Sequence, residues 1–278
     1  RSSDLDRNRP RLCAPGPERR RTAVAAEATR AAGRRSPWWF IAIPFGIALP
    51  LLITYAIAAV SERFATMETT SITVSAVESN NSVYWVINLG VLILAIGAAH
   101  AQAAAASGTT ADTERYLFGS PSTVIIARSV FYGLIAAAVT LGLVVVLMTT
   151  LPHLFPVVYG GVDLGSSAGL RFCWAVPFFA YCAASLGVGL AALTGSGLTA
   201  IALMLLWAGV VEDAIALIPN GMTVQQYMPF LNGIYGTGQW LALTPPWGRS
   251  GALGYFALLS VAFLAAGIAA AGVRRRRA

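Results

Sequence analysis

The sequence contains no lysine; all 19 of its basic residues are arginine. A Walker A phosphate loop, a Schiff-base mechanism and a Ser-Lys dyad each need the missing ammonium group, so the chain is not expected to bind ATP through a loop of its own. Histidine is nearly as scarce: only His100 and His153 occur, far apart along the chain, and no metal site is expected. Cys13, Cys173 and Cys182 form an odd, scattered set without metal-ligand spacing. Cys173 and Cys182 fall on one apolar run and cannot easily bridge each other, so all three read as free thiols. The largest deficit is charge. Asp, Glu, Lys and Arg make up 11% of the residues, where a soluble domain has about one-quarter. Apolar residues reach 56%, and several apolar runs exceed about 18 residues, the length at which a membrane-spanning helix becomes the default reading.

The charge that is present is concentrated at the ends. Residues 1–37 hold ten Arg and four acids, and Arg274, Arg275, Arg276 and Arg277 lie at the other end. The remainder is slightly acidic, so the formal charge of +7 belongs to the membrane flanks rather than to a nucleic-acid surface. The chain begins at Arg1 with no methionine before Met67, as expected of a processed chain or a misplaced start, and its first residues carry little weight in the reading. Residues 1–20 are polar and expected to be disordered. Residues 22–32 are Ala-rich and expected to form a short helix on the membrane surface.

Six spans are expected at about 38–60, 83–106, 129–151, 171–193, 197–218 and 250–273. Thr194-Gly195-Ser196-Gly197 splits one long apolar stretch into a tight helical hairpin. The Ala-x-Ala at 56–58 imitates a cleavage site, but the apolar run starts too late and runs too long for a signal peptide. With both ends in the cytoplasm, 16 Arg lie inside and only Arg63, Arg171 and Arg249 outside, as the positive-inside rule requires. The expected fold is an all-α integral membrane protein. A cytoplasmic Arg-rich tail (1–37) precedes a six-span domain (38–273), and a short basic tail (274–278) follows. The external segment 219–249 is apolar but broken by Pro and Gly, which suits short external or re-entrant helices before the last span.

Segment 107–128, SGTTADTERYLFGSPSTVIIAR, is the one sizeable cytoplasmic stretch between the tails. Thr109 or Thr110 is expected to cap a short helix that Gly119-Ser120-Pro121 ends, with Arg128 at the head-group level. Such a helix presents an acid and a base beside Tyr116, Leu117 and Phe118; it reads either as a docking surface or as a solvated connector. Gly108-Thr109, Glu114, Leu117-Phe118, Ser120-Pro121-Ser122 and Arg128 together resemble the coupling segment of the type-2 ABC exporter permease family. The six spans, the short fourth–fifth turn, the broken external segment and SLGVGLAALTGSG (185–197) are similar to that family too. The Gly-Thr precedes the acids instead of following them, and Thr123 stands where the family usually has Arg.

The resemblance implies that Glu114, Arg115, Tyr116, Leu117, Phe118 and Arg128 couple the chain to a separate cytoplasmic ATPase subunit. That subunit would hold the ATP and Mg, and this chain would bind no cofactor. It further implies a second permease chain, the same or different, around a path for an amphipathic drug, lipid, peptide or glycolipid. The location implied is a cell membrane, that of a bacterium. The alternative is a non-transporting membrane scaffold, sensor or immunity protein.

Three further groups bear on function. Glu212 and Asp213 lie near the outer end of the fifth run. They either face a vestibule that attracts or gates a cationic substrate, or the span stops at Val211 and both are external; the second is the simpler reading. His100 and Gln102, in the inner third of the second run, suit interhelical hydrogen bonds more readily than a translocation path, although both roles are open to them. Gly165-Ser166-Ser167-Ala168-Gly169 matches G-x-S-x-G, with His153 and Asp163 nearby. A hydrolase using Ser167 would need a strand–turn–helix elbow, which this pattern does not provide.

Overall fold

The computed structural model describes residues 17–31, 37–67, 76–118 and 120–277, except for the side chains of residues 17–20 and 115. Among these there is no strand. The protein is an all-α membrane protein with six helices long and apolar enough to span a bilayer: α2 (Trp38–Ala65), α3 (Ser79–Ala105), α5 (Pro121–Leu154), α7 (Ser167–Thr194), α8 (Gly197–Leu217) and α11 (Gly248–Arg277). Five shorter helices accompany them: α1 (Pro17–Ala31), α4 (Gly108–Phe118), α6 (Pro156–Tyr159), α9 (Gly221–Gln225) and α10 (Pro229–Thr237). The disorder expected of residues 1–20 falls mostly outside the described residues, and helix is already established at Pro17, ahead of the expected start.

The bundle is built around α7. Its apolar window is 78% buried, against 17% for α8 and for α11, so α7 is the central post and the others form its wall. Small residues make this possible. A Cβ placed on Gly187 would lie 2.5 Å from the carbonyl oxygen of Ala95 in α3, and one on Gly189 would lie 2.6 Å from the amide nitrogen of Leu264 in α11. Backbone therefore touches backbone on two sides of α7. Within a bilayer no hydrophobic force separates helix from lipid, so this close van der Waals packing supplies much of the attraction. A polar link adds to it where Ser129 Oγ of α5 donates to Ser185 Oγ of α7 at 2.8 Å.

The turn after α7 follows the expectation from its sequence. Gly195 takes a left-handed conformation (φ 70°) that ends α7, and Ser196 Oγ accepts from the Thr199 amide to begin α8. Arg274 near the end of α11 donates to the Ala192 and Leu193 carbonyls, binding the basic tail to the negative end of α7. The third span differs from expectation. Ser120 and Pro121 start a helix instead of only ending one, because Pro fits the first helical position without losing a hydrogen bond. Helix α5 thus begins eight residues earlier than expected, and Arg128 lies inside it, buried against its neighbours.

On the opposite face one device is used twice. Glu62 at the end of α2 accepts the Val157 and Val158 amides at 2.8 and 2.9 Å, capping α6. Glu212 accepts the Phe230 and Leu231 amides at 2.9 and 2.7 Å, capping α10. In both cases Pro opens the short helix, so the carboxylate meets the first two N–H groups available. Asn232, fully buried, secures the rest of this segment: its Nδ2 donates to the Gln226 and Met228 carbonyls and its Oδ1 accepts from Trp247 Nε1.

Candidate functional site

The most concentrated polar chemistry lies at the Arg-rich face, where α1, α3, α4 and α5 meet. Arg128 is 1% exposed and uses all three guanidinium nitrogens. Its Nε donates to Glu27 Oε1 at 2.8 Å, its Nη1 to Gln102 Oε1 at 3.0 Å, and its Nη2 to Glu114 Oε1. Arg30 completes the group, pairing with Glu27 at 3.0 Å and with Glu114. Two guanidinium groups and two carboxylates thus form a formally neutral square, with Gln102 tying it to the second span. Burial pushes the Glu27 carboxyl above its usual range, against the pull of Arg128 and Arg30. Both Arg contacts fall on its Oε1, and Oε2 is buried without a partner.

Each member is placed by local sequence. Ala23, Glu27 and Ala31 follow one another at four-residue intervals and form the buried stripe of α1, so the helix packs against the bundle. Arg30, three residues after Glu27, is held at the edge of the same stripe. In α4 the helix starts at Gly108, one residue ahead of the threonines expected to cap it, and its turn directs Glu114 inward. Tyr116 and Leu117 then fall on the outer side, 87% and 58% exposed, with Phe118 half-buried.

The residues for which the resemblance implied a coupling role separate into two sets. Glu114 and Arg128 face inward and fasten α4 to α5; Tyr116 and Leu117 face outward as a free apolar tip. The side chain of Arg115 lies outside the described residues. A cleft of about 440 Å³ opens beside the cluster, with Glu114, Ser120, Pro121, Gly195 and Arg274 in its walls. Sequence reasoning missed Glu27 and Arg30. The available signal was an acid–base pair at i, i+3 between alanines, in a helix whose other charges are mainly Arg.

The other sites take structural positions. Gln102 is buried in the cluster, whereas His100, two residues away, is exposed and lines a separate cavity. Helix continues past Val211 to Leu217, and Glu212 is buried as the cap of α10 while Asp213 is exposed. The helix continues because the bonds from Phe230 and Leu231 satisfy the carboxylate, which removes the cost of placing it there. His153 Nδ1 lies 2.8 Å from the Thr149 carbonyl oxygen, Asp163 accepts from the Gly165 amide, and Ser167 opens α7 after Ser166 has capped it. Cys173 and Cys182 are free thiols; Cys13 lies outside the described residues. No protein-family model, curated protein or solved structure matches this chain.

Proposed function

We propose that this protein is the membrane subunit of an ATP-driven exporter, worked by a separate ATPase subunit that docks on α4. The observation that carries this reading is the division of α4 into an outward apolar tip and an inward ionic fastening. A partner gripping Tyr116 and Leu117 pushes on a helix that cannot slide freely. Through Glu114 and Arg128 the push reaches α5, and through Gln102 it reaches α3. Buried, charge-assisted contacts suit this task because their geometry is directional and breaking one leaves an uncompensated charge. The neighbouring cleft, with the α7–α8 turn in its wall, gives the partner a second foothold.

In this reading the chain binds no nucleotide; ATP and Mg reside on the partner. A second permease chain, identical or related, completes the path, and the exposed apolar faces of α2, α8 and α11 are available to lipid or to that chain. The cargo class is amphipathic, and the location is a bacterial plasma membrane with both ends in the cytoplasm, following the Arg distribution. The test is co-purification in nanodiscs with an ATPase encoded beside this gene. A Tyr116→Ala, Leu117→Ala variant is expected to insert normally and retain its fold while losing ATPase association and stimulation. No associated ATPase for the wild-type chain, or unchanged stimulation in the variant, would refute docking on α4.

A further inference from the structure

The cleft of about 440 Å³ beside the ionic square carries charge that the square does not cancel. Its charged lining is Arg128, Glu114, Arg274 and Arg275. Arg128 and Glu114 belong to the square, where two guanidinium groups and two carboxylates balance. Arg274 and Arg275 stand outside that balance, so the walls are net positive. Arginine keeps its charge throughout the physiological pH range. Both residues come from the end of α11, and Arg276 and Arg277, exposed just beyond them, strengthen the same field.

Arg274 is both accessible and fixed. The residue is exposed, yet its Nη1 donates to the Leu193 carbonyl at 3.0 Å and its Nη2 to the Ala192 carbonyl. Gly195, whose Cβ would lie 3.5 Å from Arg274 Cζ, lets the guanidinium rest against the α7–α8 turn. The acceptors are neutral carbonyls, so they hold the group in place without cancelling its charge, and further N–H groups of the same guanidinium remain for a ligand. A guanidinium ordered before binding loses less freedom when an anion arrives. Ser120, half-buried in the same cleft, adds a hydroxyl.

The level of the cleft in the fold points to the source of the anion. Helix α7 ends at Thr194 and the apolar run of α11 at Val273, so Gly195 and Arg274 lie where two spans leave the hydrocarbon. Helices α5 and α11 each pack along α7 but touch one another only slightly. The deeper walls between them are buried and apolar, formed by Val124, Ile125, Ala191 and Ala192. A positive mouth over an apolar floor suits the phosphate and glycerol of a lipid better than a fully hydrated ion. Basic pockets between membrane helices take acidic lipid headgroups in the same way. We infer that this cleft binds the headgroup of an anionic phospholipid from the leaflet on the Arg-rich side, its phosphate accepting from Arg274 and meeting Arg275. The site is complete within one chain and does not depend on the exporter reading; a partner resting on the α7–α8 turn would meet the filled cleft.

The test titrates the full-length protein, in neutral detergent, with dioleoyl phosphatidylglycerol or dioleoyl phosphatidylcholine. Bound lipid is counted by native mass spectrometry in a volatile salt of about 0.3 M, which screens exposed charge. One phosphatidylglycerol is expected to bind at least about tenfold more tightly than phosphatidylcholine, since a charge-assisted hydrogen bond is worth about that factor. Arg274→Gln should weaken its binding about tenfold, whereas Arg276→Gln with Arg277→Gln, outside the cleft, should weaken it less than about threefold. Because Arg274 also fastens α11 to α7, Ala106→Trp is the second variant: it obstructs the cleft from an exposed position and keeps every Arg. It should weaken binding at least about tenfold as well. Equal affinity for the two lipids, or a larger loss in the Arg276–Arg277 variant than in Arg274→Gln, would overturn the site in favour of a diffuse basic tail. Tight binding that survives Ala106→Trp would overturn it too. Displacement of the lipid by equimolar glycerol phosphate would assign a free phosphate, and displacement by hexaglutamate an acidic protein segment; either would overturn the lipid assignment.

Discussion

Replacing Arg128 by methionine preserves much of the side chain's length and removes its charge. In the folded protein this leaves Glu27, 2% exposed, facing Glu114 with only Arg30 between them, and Gln102 without its donor. Removing one partner from a buried ionic cluster costs roughly 3–5 kcal/mol, because the desolvated charges that remain have lost their compensation. About 4 kcal/mol corresponds to nearly a thousandfold change in the equilibrium concerned. The loss should first appear locally, as release of α1, since α1 is a short helix held to the bundle by this cluster and by the Ala23–Ala31 stripe. The assay is maleimide labelling of Ala23→Cys in a background with the three native thiols replaced by alanine. Ala23 is 1% exposed, so its labelling rate reports undocking. Arg128→Met should raise that rate by two to three orders of magnitude. Adding Glu27→Gln and Glu114→Gln to Arg128→Met should restore at least half of the lost free energy, because the stranded charges are then gone. A change of less than about tenfold in the single variant, or no rescue in the triple one, would refute the argument that a neutral, desolvated square holds α1 and α4 to α5.

Further expectations can be checked on the same protein. Glu212→Ala should destabilise the α9–α10 segment by about 3 kcal/mol, since two buried amides lose a charged acceptor, and proteolysis within 219–228 should accelerate; Asp213→Asn, at an exposed position, should change stability by less than about 0.5 kcal/mol. Gly189→Val should drive α11 away from α7 and cost at least about 3 kcal/mol in a detergent thermal-unfolding series, because its Cβ would meet the Leu264 backbone; Gly254→Ala, where nothing lies in the way, should be tolerated. Docking of α1 should depend on pH through Glu27. Its folded-state pKa is raised above 4.5, so the docked form binds the proton more tightly. The resulting contribution is fully present below 4.5 and is lost as pH rises through the raised value, with Arg128, Arg30 and Glu114 as the charged neighbours. In the Ala23→Cys protein, α1 release quantified by labelling after pH quench should increase over that interval, and Glu27→Gln should flatten the profile.

The spans and the hairpin at Thr194–Gly197 were legible because each depends on local composition: an apolar run sets a span, and Gly between polar residues sets a turn. Boundaries were less legible where one residue has two meanings. Pro121 ends one helix and begins the next, and the sequence alone did not show that the second reading carries Arg128 into the interior. Glu212 was similarly ambiguous, because the amides that satisfy it lie eighteen and nineteen residues further along the chain.

By itself the sequence determined an all-α, six-span protein with its Arg concentrated at one face, and it excluded lysine-dependent nucleotide chemistry. These follow from hydropathy and residue identity, which need no partner in space. Tertiary structure decided the rest. It turned Glu114 and Arg128 inward, left Tyr116 and Leu117 outside, and brought Glu27 to Arg128 across 101 positions of sequence. Whether a charged or polar group is paired or bare depends on which neighbours the packed helices bring within about 3 Å, and no pattern of spacing along the chain contains that information.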